Sequence, residues 1–76
     1  MAKIEINGKT FTTTPLTWRQ ALAVKETKGG DERMAEEMVR VSLGGVLTIE
    51  EIRDLPLETM SRIIEEVTLE NGVSSG

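Results

Sequence analysis

The side chains with chemistry to offer in this sequence are carboxylates and hydroxyls. Glu36-Glu37, Glu50-Glu51 and Glu65-Glu66 form adjacent pairs, and Ser42, Ser61, Ser74 and Ser75 supply the serine hydroxyls. A metal or acid–base site needs its carboxylates to converge in a pocket with His, Asn or Asp partners, whereas neighbours on a helix point about 100° apart. The pairs are interleaved with Arg40, Arg53 and Arg62 and read as solvated helix faces. Histidine and cysteine are both absent, so no serine has an imidazole to take its proton and no thiolate can hold zinc. The glycine pairs of "GGDER" and "LGGVL" lack the Lys-Ser or Lys-Thr of a phosphate-binding loop and suit helix ends instead. No catalytic residue, cofactor or metal is expected, and the chain does not read as an enzyme.

What remains is a small acidic chain that must fold around little. At 76 residues it is one domain, and a domain this small buries only about 60% of the surface its unfolded chain exposes. Only 38% of residues are apolar, and Phe11 and Trp18 are the sole aromatics, so the core must be aliphatic with Met as filler. A thin core favours an interaction protein and also suits a homo-oligomer. The net charge of −4 works against binding a phosphate backbone, which requires clustered Lys and Arg. "MAKIEING" has no apolar signal core, and nothing approaches the roughly 20 apolar residues that span a bilayer. The expectation is a soluble, cytoplasmic protein that engages neither nucleic acid nor membrane.

The turn and capping signals divide the chain clearly. "KIEINGKTFTT" alternates about Asn7-Gly8, a pair that accepts the positive φ values of a two-residue hairpin, which sets Ile4 opposite Phe11 and Ile6 opposite Lys9. Pro15 ends the second strand. "TWRQ" fits a capping box, with Thr17 as cap, Gln20 reaching back and Leu16 stapling to Ala21, so a helix should run from Trp18 to about Lys28 before Gly29-Gly30. Asp31 can cap a second helix over Glu32 to Leu43, with Met34, Met38 and Val41 at helical spacing and Glu36 four residues before Arg40. Thr48 and Glu51 repeat the capping box, with Leu47 and Ile52 as staple, for a short helix ending near Asp54. After Pro56, a last helix over Leu57 to Glu70 would turn Leu57, Met60, Ile63, Ile64 and Val67 inward, and Asn71-Gly72 would end it. The reading is an α+β fold: an N-terminal β-hairpin and a bundle of three to four helices, one domain over residues 1–72 with a loose tail at 73–76.

Two further functional classes fit poorly. Acyl carrier proteins share the size and acidity, but their modified serine opens a helix within an Asp-Ser-Leu motif, whereas Ser42 follows Val41 at a helix end. A helix-turn-helix reader about Gly44-Gly45 would present Glu50, Glu51 and Asp54 to phosphates. Trp18, in the first turn after a hairpin, is expected to seal the hairpin against the helices, with a partly exposed binding anchor as the alternative.

The order of signals resembles the tail assembly chaperones of long-tailed bacteriophages and prophages, especially the Mu-like contractile-tailed group. The likeness lies in a hairpin leading through "TTTPLTWRQAL" into a helix, then a charged helix, then "VSLGGVLTIEEIRDLPLETMSRIIEEV", over about residues 3 to 70. The resemblance implies a non-enzymatic factor of the bacterial host cytoplasm that binds the long helical tape-measure protein, keeps it soluble, helps recruit tail-tube protein and leaves before the tail is complete. It further implies that this chain corresponds to the short form of a pair, the longer one made by frameshifting. A small tail or neck subunit retained in the virion is the alternative. On this reading the partner-binding residues are Trp18, Met34, Met38 and Met60, because unbranched methionines adapt to successive sites on a long partner. A core-filling role for the three methionines is the competing assignment, and the acidic surface favours a basic partner.

Overall fold

A computed structural model describes residues 3–72; the tail assigned to 73–76 lies outside the described residues. The fold is α+β, an antiparallel hairpin followed by four helices. Strands β1 (Lys3–Ile6) and β2 (Lys9–Thr12) pair in the expected register, Ile4 with Phe11 and Ile6 with Lys9. Asn7 and Gly8 take φ values of 51° and 81°, the left-handed pair that lets a two-residue turn follow the twist of its strands. Alternation then places Ile4 and Ile6 on one face, and both are buried.

Helix α1 (Trp18–Lys25) opens with the complete capping box: the Gln20 amide donates to Thr17 Oγ1 at 3.2 Å and the Thr17 amide to Gln20 Oε1 at 2.9 Å. It ends three residues before the expected Lys28. The chain leaves the helix there by a tighter closure, the Thr27 amide donating to the Val24 carbonyl at 3.1 Å three residues back, before Gly29 and Gly30 take φ values of 116° and 91°. Helix α2 (Asp31–Ser42) also departs from expectation at its start, where Gly30 occupies the cap position and Asp31 is the first helical residue. No side chain caps it; Asp31 and Glu32 instead place negative charge at the positive end of the helix dipole. At its other end the Gly44 amide donates to the Val41 carbonyl and the Gly45 amide to the Arg40 carbonyl, both at 3.0 Å, the paired closure of a Schellman motif.

The short helix α3 (Ile49–Arg53) carries the second capping box, between Thr48 and Glu51. Helix α4 (Leu57–Glu70) follows Pro56 directly and caps at Asn71. Leu57, expected to face inward, is 82% exposed. At about 100° per residue it lies roughly a quarter turn from the centre of the Ile63–Val67 face, and it occupies the first turn, beyond the reach of the core.

Helix α2 is the hub, packing against α1, α3 and α4. The core joins Ile4 and Ile6 of the hairpin to Val39, Leu43, Ile52, Ile63 and Val67, with Phe11, Met38, Leu47, Leu55, Met60 and Ile64 around it. No helix among the described residues is long and apolar enough to cross a membrane.

Candidate functional site

The carboxylates do not assemble into a site. Glu36, placed to meet Arg40 by helical spacing, instead receives a fork from Arg53 on α3, with Nε at 2.8 Å and Nη2 at 3.2 Å. Arg40 pairs with Glu37 three residues earlier, and Arg33 approaches the same carboxylate at 3.5 Å. Hydrogen bonding from Arg53 holds the Glu36 carboxyl below its ordinary range, and bonding from Arg40 does the same for Glu37 against the opposing effect of burial. The described residues contain no group of three or more His, Cys, Asp or Glu arranged to hold a metal ion. Ser42, completely buried, is tied to the backbone: its hydroxyl donates to the Thr14 carbonyl at 3.1 Å.

That bond belongs to a strap. The Thr14 amide and hydroxyl both donate to the Ser42 carbonyl, at 3.0 and 3.2 Å, so residue 14 is fastened to the end of α2. Thr13, also buried, donates its hydroxyl to the Glu70 carboxylate. The Leu16 amide donates to Asn71 Oδ1 at 2.8 Å, while Asn71 Nδ2 donates to the Val67 carbonyl at 2.7 Å. Residues 13–16 thus cross the C-terminal ends of α2 and α4 and are bonded to both. The strap sets where α1 begins.

Beside it lies an apolar groove of about 530 Å³, lined by Leu16 and Thr17 of the strap, Trp18 and Ala21 of α1, Met38 of α2, and Val67, Thr68 and Asn71 at the end of α4. This volume falls within the range of about 300–1,000 Å³ typical of binding clefts. Among the described residues, no ionisable side chain lines it. Trp18 does not seal the hairpin against the helices as expected; it stands at the groove with 77% of its surface exposed. Leu22, one turn further on, and Leu69 of α4 are exposed as well.

Of the four sequence-predicted partner residues, the structure brings Trp18 and Met38 together. Met60 packs against the core, and half-buried Met34 lies outside the groove lining. Leu16, Thr17, Ala21, Val67, Thr68 and Asn71 were not foreseen as groove residues. Leu16 and Ala21 were legible as a staple pair and Val67 as an inward residue, but nothing local could bring the two segments to one cleft. Comparison with family models, with curated proteins and with solved structures gives no match.

Proposed function

We propose that this chain is a non-enzymatic assembly factor of the phage tail assembly chaperone kind, which holds its partner in the groove between α1 and α4. One observation carries the reading: the only tryptophan of a protein with a thin core is left exposed at the edge of an apolar cleft. Monomeric domains do not ordinarily place their largest apolar side chain in water, and Trp is enriched among residues that dominate binding energy. A groove without ionisable lining, floored by Met38 and Val67 and walled by two helices, suits the apolar stripe of an incoming helix. The resemblance supplies the partner: the helical tape-measure protein first, with tail-tube protein recruited afterwards, in the bacterial host cytoplasm.

The test is capture by the tagged protein from cells making tails, with wild type and Trp18→Ala side by side and bound proteins identified by mass spectrometry. The expected result is a very long helical protein or a tube subunit on wild type, reduced at least tenfold on the variant while its circular dichroism is unchanged. Recovery of the chain alone, from a lysate in which tails form, would overturn the reading. Finding the chain in purified particles would shift the assignment to a structural subunit of the tail or neck.

A further inference from the structure

We propose that the free edge of β1 pairs with the same edge of a second copy, antiparallel and about a two-fold axis at Ile4, so that two hairpins become one four-stranded sheet. In the single chain β1 has β2 on one side and no strand on the other. The turn decides which backbone groups β1 presents on that open side. Asn7 and Gly8 are its central residues, so Ile6 and Lys9 are its hydrogen-bonded ends. Antiparallel pairs alternate between bonded and non-bonded, which makes Ile4–Phe11 the next bonded pair and points the amides and carbonyls of Lys3 and Glu5 away from β2. Among the described residues, no backbone hydrogen bond from outside the hairpin reaches either residue. Such an edge is a template for another strand, and a sheet of two strands is marginal until more are added.

Backbone and side chains select the same register. With Ile4 opposite Ile4, Lys3 falls opposite Glu5 and Glu5 opposite Lys3, and these are the outward-pointing residues that can exchange both their bonds. A slip of one residue sets outward groups against inward ones; a slip of two sets Lys3 against Lys3 or Glu5 against Glu5. Both charges stand on the exposed face of the strand, with Ile4 on the buried one, and among the described residues neither belongs to an ion pair. An all-acidic or all-basic strand would suit one of them and oppose the other, whereas this chain's own Lys-Ile-Glu suits both. A cleft of about 490 Å³ lies where Lys3, Ile4 and Glu5 meet Glu58, Thr59 and Arg62 of α4, so the strand has open space beside it. The chain's net charge of −4 sets two copies against each other over most of their surface, but in this cleft two bases offset two acids.

No residue that lines the apolar groove lines this cleft, so the pairing does not rest on the chaperone reading. Where both hold, one particle offers two grooves to a long partner.

The experiment is sedimentation equilibrium of the full chain from roughly 1 µM to 1 mM, with amide hydrogen exchange followed over the same range. The expected result is a monomer–dimer equilibrium in which the Lys3 and Glu5 amides gain protection as concentration rises, while the Thr10 amide, which points out from the opposite edge, does not. Lys3→Glu and Glu5→Lys should each raise the dissociation constant about tenfold, because each turns both cross-strand contacts repulsive. Mixed in equal amounts, the two variants should associate as tightly as wild type, since an all-acidic strand then meets an all-basic one. Trp18→Ala should leave association unchanged. A monomer throughout the range overturns the inference. So does a mixture that associates no better than either charge variant alone, a dimer that protects Thr10 instead, or one that Trp18→Ala disrupts, which would place the contact at the groove.

Discussion

Helices α1 and α4 wall the same groove, yet they are held by different forces. Helix α4 contributes Ile63 and Val67, both fully buried, to a core shared with α2, α3 and the hairpin. Helix α1 contains no buried residue; it is fixed by the Thr17–Gln20 box, by packing on α2 and by the hydrogen-bonded strap that leads into it. Apolar burial is non-directional and collective, so α4 tolerates little change without loss of the whole fold. Hydrogen bonds position a helix without tying it to the core, which leaves α1 free to spend its apolar side chains on a surface. The difference places stability on one wall of the groove and leaves the other wall with an exposed apolar face.

The hardest test of that division is at the core. Ile63→Ala should lower unfolding free energy by about 2–5 kcal/mol, measured by urea titration, which is a large share of what a domain this small possesses. An equivalent truncation on α1, Leu22→Ala, should change it by no more than about 0.5 kcal/mol. Similar losses at the two positions would erase the contrast. Next in size is the strap: Ser42→Ala leaves the Thr14 carbonyl without its hydroxyl donor and should cost about 1–3 kcal/mol, with faster amide exchange at residues 14 and 16 preceding any change in α4. The smallest effect separates the two capping boxes. Thr17→Ala should fray α1 and alter Trp18 emission, while Thr48→Ala should lower global stability by about 1 kcal/mol and leave that emission unchanged, because Ile52 of the second capped helix lies in the core.

The features readable from sequence are those closed within a few residues. The Asn7-Gly8 turn, both capping boxes and the hairpin register each depend on positions no further apart than one short element, and all are present as expected. The places where reading failed involve competition or distance. Helix α1 ended at an i−3 closure from Thr27 to Val24, three residues before the glycine pair that was expected to stop it. Arg53, 17 residues from Glu36, displaced the local partner Arg40. The groove was half legible: Trp18 and Met38 were singled out for residue type, but the bonds that bring Leu16 beside Asn71 span 55 residues and leave no periodic trace. Met34 and Met60 were chosen for the same flexibility as Met38, and residue type alone could not say which of the three the fold would turn towards the strap.

The bond from Leu16 to Asn71 has a consequence for the order of events during synthesis. Its donor is made early, and its acceptor comes 55 residues later. At synthesis rates of about 5–20 residues per second, the strap waits roughly 3–11 s for its second anchor. Through that interval Trp18 is present but the far wall of the groove is not. Before α2 and α4 exist, the hairpin and first helix have neither the helix that α1 packs on nor the anchors of the strap, so the groove forms when its two walls come together and not by stages along the chain.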